Sequence, residues 1–157
     1  MTEALSIKAL NFAYPEQLPI IAGINCTIKA GEKVGLIGPN GAGKTTLFLL
    51  ITGILQPTSG RLEVFGQPVK PGVFYPAVGM VFQHTADQLI CPSVRDDIAF
   101  GPQNMGLGSE EIRKRIEETA ALTGITALLD RPPHHLSGGE QRLVALSGIL
   151  AMTPRLL

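Results

Sequence analysis

Nine residues, Gly38-Pro39-Asn40-Gly41-Ala42-Gly43-Lys44-Thr45-Thr46, lie between two apolar runs, Val34-Gly35-Leu36-Ile37 before them and Leu47-Phe48-Leu49-Leu50-Ile51 after them. The order this predicts is strand, glycine-rich loop, helix, the context that separates a phosphate cradle from a chance turn. Glycine lets backbone N–H groups turn inward with no Cβ in the way. A helix starting near Lys44 points its unpaired amides, and the positive end of its dipole, at the same spot. A polyanion therefore belongs there. Lys44 is placed to reach β- and γ-phosphates as a mobile point charge, and the Thr45 hydroxyl to take one position on Mg²⁺.

The rest of the composition bounds the partners. At 157 residues the chain has the size of one domain able to bury a core. Lys plus Arg and Asp plus Glu both number 13, for a net charge of zero, and no run of like charge occurs, so nucleic acid is not an indicated partner. Cys26 and Cys91 lack metal spacing, and the N-terminal residues have neither a basic stretch nor an apolar one of the secretory kind. Both thiols are expected buried or inert in a reducing compartment. The longest near-apolar stretch, Leu47 to Leu55, is too short to cross a bilayer, which makes any membrane association indirect. Only 17% of residues are charged, below the usual quarter, and mean hydropathy is +0.24. Both point to apolar surface meant for another subunit or for further chain.

Taken in order, Ala4 to Leu10 alternates as a half-buried strand, which Asn11-Phe12-Ala13-Tyr14-Pro15 breaks. Tyr14 is either a face on which a purine stacks or a core aromatic. Ile24 to Ile28 alternates again, and Ala30-Gly31-Glu32-Lys33 turns the chain, so a hairpin-like pair is expected to lead into the phosphate-loop strand. The following helix is expected to end at Gly53 in a left-handed cap. Arg61 to Phe65 reads as a strand, Gln67 to Pro76 as loop, and Val78-Gly79-Met80-Val81-Phe82 as a buried parallel strand ending at Gln83. Ser93 is an N-cap candidate ahead of Val94-Arg95-Asp96-Asp97-Ile98, whose charges read as a helix N-terminal face. Ser109 is expected to cap an amphipathic helix that carries Ile112 and Ile116 and ends at Gly124, with a shorter helical stretch over Ile125 to Leu129. His84, His134 and His135 share no metal-ligand spacing with a cysteine or carboxylate cluster and read as loop residues.

Ser137 with Glu140 three residues later forms a capping-box pattern for a helix to about Met152. Gly138 and Gly139 stand between them. Glycine in a first turn costs about 1 kcal/mol relative to alanine, which favours a second anion site at this helix start over a plain cap.

The phosphate loop, Gln83 after an apolar strand, a helical insertion and then Leu136-Ser137-Gly138-Gly139-Glu140-Gln141 together resemble the ATP-binding-cassette (ABC) ATPases. The resemblance covers essentially the whole chain. It implies an α/β P-loop NTPase core with an N-terminal antiparallel β subdomain and an inserted α-helical subdomain at about residues 84–135, residues 1–157 being the N-terminal part of one nucleotide-binding domain with an incomplete sheet. In that family the aromatic matching Tyr14 stacks on adenine, and residues matching Gly38 to Thr46 hold ATP. Gln83 matches the residue that bridges Mg²⁺ or the attacking water to the coupling surface. Two subunits, identical or different, meet head to tail, and the segment matching Ser137, Gly138, Gly139 and Glu140 completes its partner's site. Val81-Phe82-Gln83, Asp87-Gln88-Leu89 and Asp97-Ile98-Ala99-Phe100-Gly101-Pro102 look like the ATPase subunits of energy-coupling-factor importers for cobalt, nickel and vitamins. His84-Thr85-Ala86 departs from the Asn-Pro-Asp or Asn-Pro-Glu usual in that subgroup. The resemblance implies an integral membrane partner, ATP and Mg²⁺ as cofactors, and a peripheral position on the cytoplasmic face of the membrane. The alternatives are a soluble, non-transport ABC ATPase and a non-catalytic, truncated nucleotide-binding fragment.

After Glu140 no Asp, Glu or His occurs. In the resembling family Pro154-Arg155-Leu156-Leu157 would open a strand ending in a Mg²⁺-holding Asp and a water-polarising Glu, with a γ-phosphate-sensing His later still. Phosphoryl transfer rests on positioning and electrostatics, so these residues alone are expected not to hydrolyse ATP at a useful rate. The same resemblance places the two ladder neighbours of the phosphate-loop strand later in sequence, which would leave that strand with unpaired backbone groups.

Overall fold

The alternation around Leu5 and Ile7 becomes β1 (Glu3–Phe12), the central strand of an antiparallel sheet in the computed structural model, which describes residues 2–157. Two compact units divide the chain, the first running to Tyr75 and the second from Pro76 to Leu157.

In the first unit β1 is flanked by β2 (Ile21–Lys29) and β3 (Ser59–Val64), with the short β4 (Gln67–Pro68) beyond, in the order β2-β1-β3-β4. Ile7 faces Cys26 on one side and Leu62 on the other, and Leu5 faces Ile28 and Val64. The register slips between Ile7 and Leu10, where Ala9 takes φ 45° and donates its N–H to Asn25 Oδ1 at 2.8 Å. Such a bulge re-aims the strand that follows. Leu10 and Phe12 are buried past it, so the strand outlasts the break expected at Asn11. Helix α1 (Lys44–Ile51) buries Thr46, Leu50 and Ile51 and ends through Thr52 into Gly53 at φ 74°, the left-handed cap that the sequence indicates.

Two strand expectations are corrected. Residues 34–37 join no ladder among the described residues, and Val34 is 60% and Ile37 95% exposed. β2 pairs with β1, the antiparallel pair expected ahead of the phosphate loop. Val78 makes a single parallel bridge, to Leu156, in place of a strand over 78–82. An apolar run supplies the wish to be buried but not the neighbouring N–H and C=O groups that make a strand.

The second unit is helical: α2 (Val94–Asn104), α3 (Ser109–Thr123) and α4 (Gly138–Leu150), with 3₁₀ turns at Thr85–Gln88, Thr126–Leu128 and Pro133–His135. Val94, Ile98, Ile116, Ala120, Ile125 and Val144 form its core, each at most 4% exposed. Full burial of a side chain the size of these valines and isoleucines contributes about 1.5–3 kcal/mol. Ser93 caps α2 by accepting from the Asp96 amide. α3 departs from expectation at its start: Gly108 is the cap, and Ser109 is already the first helical residue with no capping bond. Its end at Gly124, φ 74°, is as the sequence indicates. Small residues set the helix spacing, since a Cβ on Gly101 would fall 2.6 Å from Met152 Sδ.

Candidate functional site

The phosphate-loop residues are held open by backbone conformation. Gly41 and Gly43 sit at φ 80° and 82°, in the left-handed region that glycine enters without cost. Gly43 is also pressed against the start of β2, where a Cβ would meet Ile21 Cδ1 at 3.0 Å and the Ile20 carbonyl at 3.2 Å. Gly43 caps α1 with no side-chain bond, and the first helix-closing bond runs from the Leu47 amide to the Gly43 carbonyl at 2.8 Å. Among the described residues, the amides of Gly43, Lys44, Thr45 and Thr46 meet no acceptor. Four converging donors at the positive end of a helix dipole fit a phosphate chain.

Lys44 is folded back over the loop, its Nζ donating to the carbonyls of Gly38 at 2.8 Å and Pro39 at 2.7 Å. The ammonium is thereby kept at the loop rather than swinging in solvent. Pro39 also accepts from the Ala42 amide at 3.3 Å, closing a turn over Pro39-Asn40-Gly41-Ala42. Thr45 is exposed with its hydroxyl unengaged, as a Mg²⁺ ligand requires, while Thr46 is buried. Tyr14 packs its ring edge-on against Phe12 at 4.9 Å, as a core aromatic does, and its hydroxyl shares a 3.3 Å hydrogen bond with Thr46 Oγ1. The aromatic expected at a purine is therefore tied to the phosphate-loop helix.

The second group of expected residues lies in the second unit. Ser137 and Glu140 form a complete capping box: Ser137 Oγ accepts from the Glu140 amide, and Glu140 Oε2 accepts from the Ser137 amide at 2.8 Å. The Ser137 hydroxyl also donates to that carboxylate at 2.7 Å. Gly138 and Gly139 have open space around them. Gln83 is exposed and lines, with Gly138, a cleft of about 520 Å³ between the 3₁₀ turn at Thr85–Gln88 and the first turns of α4. His84, Asp87, Gln141 and Arg142 line it too, and sequence reasoning singled out none of these for that role. Only the spacing of Gly138, Gln141 and Arg142 on one helix face could have marked the last two.

Glu140 is held below the usual carboxylate range by the Ser137 hydroxyl first and the Ser137 amide second. A carboxyl depressed in the folded state adds stability above its ordinary value and loses it as pH falls through the depressed one. The start of α4 should thus loosen in acid below the ordinary glutamate value of about 4.3. Glu140→Gln, which keeps an acceptor without a charge, should remove that pH dependence. An NMR titration of the Ser137 amide reads it directly, and identical acid profiles for parent and variant would rule it out.

Cys91 has its thiol pushed up to about 11, by burial first and by the charge of Asp97 next, so it holds almost no thiolate at neutral pH. Cys26, against expectation, is exposed on β2, because β2 shows most of its residues to solvent. His134 and His135 pack edge to face with centroids 4.3 Å apart. No helix among the described residues is long and apolar enough to cross a membrane.

Comparison with known proteins agrees with this geometry. Residues 21–157 match the family described as ABC transporter. The chain is 50% identical to a putative ABC transporter ATP-binding protein of Synechocystis over 98% of its length and 54% of that protein's. It is 46% identical to the energy-coupling factor transporter ATP-binding protein EcfA of Methanocaldococcus jannaschii, over 96% of this chain and 56% of the relative. Among solved structures, cbiO1 of Clostridium perfringens, described as part of the ABC transporter complex cbiONQ, superposes with a TM-score of 0.86 at 39% identity, covering 98% of this chain and 63% of that one. The chain spans about half the length of the curated relatives it matches. With a glycine-held phosphate loop at one helix start and a Ser-Gly-Gly-Glu capping box at another, and with these relatives over nearly every residue, the chain belongs to the ABC transporter family.

Proposed function

We propose that this chain is the nucleotide-binding part of an ATPase subunit that couples ATP binding and hydrolysis to uptake of a small solute, a metal ion or a vitamin, through an integral membrane partner. The carrying observation is the set of unpartnered amides of Gly43 to Thr46, with the Lys44 ammonium held at the same loop by two carbonyls. Gly38 to Thr46 hold the triphosphate of ATP, and Tyr14 lies beside the buried end of that loop for the purine. Thr45 would take one position on Mg²⁺, the ion supplying charge neutralisation at the phosphates when bound; Gln83 keeps the metal- or water-bridging role that the family resemblance implies. Ser137, Gly138, Gly139 and Glu140 face the nucleotide of a second ATPase subunit, identical or different. Their helix start is incomplete as an enclosure by itself, which is the physical reason for pairing. The likeness to EcfA and to a subunit of cbiONQ supports both the membrane partner and a peripheral place at the cytoplasmic face.

The hydrolytic half of the site is not among these residues, since no carboxylate or imidazole follows Glu140. These 157 residues are therefore expected to bind Mg·ATP and release no phosphate in the steady state, while the intact subunit does both. Calorimetry with ATP, with and without Mg²⁺, and a phosphate-release assay on each form check this. Lys44-dependent turnover by residues 1–157 alone would overturn the division of labour, and absence of binding by the intact subunit would overturn the function.

A further inference from the structure

Both ends of α4 are held, the start by Gln141, which donates to the Pro133 carbonyl at 3.2 Å, and the far end by a charged side chain of α3. At the C-terminal end Arg115 of α3, with 19% of its side chain exposed, donates Nη1 to the Ala151 carbonyl at 3.0 Å and Nε to Glu111 at 2.7 Å. Ala151 follows the last helical residue and is 1% exposed, so its carbonyl lies past the reach of the helix ladder and away from water. The guanidinium satisfies that orphan acceptor and sits at the negative end of the α4 dipole. One turn earlier Thr123, the last residue of α3, shares a 2.8 Å hydrogen bond with Ser147, whose hydroxyl is fully buried. At the other end, Ser137 is exposed, and a Cβ added to Gly138 or Gly139 would meet nothing within 4 Å. A helix of 13 residues is a rod about 20 Å long, so an axial shift at its foot is carried along it and strains the placement of its head.

We infer that Arg115 is a positioning residue, which through its clasp on Ala151 fixes the axial placement of α4 and hence of the Ser137 segment presented to a partner's nucleotide. This rests on the proposed function. Arg115 itself touches no nucleotide, and its effect should fall on the step that needs Ser137 placed to within a fraction of an ångström. It should leave the phosphate loop's own grip on ATP unchanged.

The test uses the intact subunit. Arg115→Met, which keeps the apolar stem and removes both donated bonds, should lower kcat about tenfold while KM and the ATP Kd stay within roughly twofold. Arg115→Lys, which keeps a cation at the helix end but cannot hold both acceptors at once, should fall between parent and Arg115→Met. A purely structural role predicts a lower melting temperature without that split. Parent-like kcat in a folded Arg115→Met overturns the inference, as does a loss shared equally by KM and Kd. Where Arg115→Met does not fold, Arg115→Lys decides alone: a twofold to fivefold drop in kcat at unchanged Kd, roughly, upholds the inference and a parent-like kcat overturns it. Turnover in the parent that survives Lys44→Ala would sink the functional reading instead, whatever Arg115 does.

Discussion

Lys44→Ala is expected to weaken Mg·ATP binding by roughly 10- to 100-fold, the largest single-residue effect on binding in the chain, because a hydrogen bond to a charged group contributes about 1.5–3 kcal/mol. Two losses combine. The ammonium no longer meets the phosphates, and the carbonyls of Gly38 and Pro39, which it meets at 2.8 and 2.7 Å, lose a charged donor, Pro39 keeping only the Ala42 amide. The second loss loosens the loop before any ligand arrives, so part of the deficit should show as a larger entropic penalty of binding. Thr45→Ala provides the contrast. Its exposed hydroxyl has no partner among the described residues, so its removal should matter only when Mg²⁺ is present. Calorimetric titration of both variants, with and without the metal, separates the two roles. A Lys44→Ala affinity within threefold of the parent would show that backbone amides alone carry the anion.

What could be read from sequence was whatever depends on neighbours along the chain. The Ser137–Glu140 box, the Ser93 cap and the glycine ends at Gly53 and Gly124 are each closed by residues within a few positions of one another, and all four stand in the structure. The apolar runs at 34–37 and 78–82 are different. Their residues suit strands, but a strand exists only beside another, and periodicity carries no information about what lies beside it. The Ser109 miss is of the local kind: Gly108 at φ −68°, ψ 153° takes the cap, and Ser109, already helical, makes no capping bond. In the candidate site, the loop and the Ser-Gly-Gly-Glu segment were legible because each is one contiguous stretch. The bond of Tyr14 to Thr46, the cleft shared by Gln83 and Arg142, and the clasp of Arg115 on Ala151 join positions 32 or more apart, and no pattern in the sequence ties their ends together.

The sheet beneath the phosphate loop makes the second strong prediction, at a residue far from any ligand. Gly60→Ala should destabilise the first unit by roughly 3–5 kcal/mol, a sum of two terms. The first is conformational: Gly60 sits at φ 92°, where an L side chain costs on the order of 1–2 kcal/mol. The second is steric and larger. A Cβ there would overlap the Ala9 carbonyl, lying 2.6 Å from its carbon and 2.7 Å from Leu10 Cα, and backbone atoms in a sheet cannot rotate aside as a side-chain tip can. Relief requires β1 and β3 to part at the bulge. There Asn11 ties three strands, donating to the Ala9 carbonyl at 2.8 Å and to Ser59 Oγ at 3.1 Å and accepting from the Gly23 amide at 2.8 Å. Gly66→Ala is the control, with φ 75° and nothing within 4 Å, so it should show the conformational term alone. At about 2–4 °C per kcal/mol for a chain of this size, the two variants should melt several degrees apart. Equal melting temperatures would mean that the bulge yields without cost. Because the chain leaves β1 at Phe12 and reaches Tyr14 two residues later, whose hydroxyl holds Thr46, a folded Gly60→Ala should also bind ATP more weakly than Gly66→Ala does.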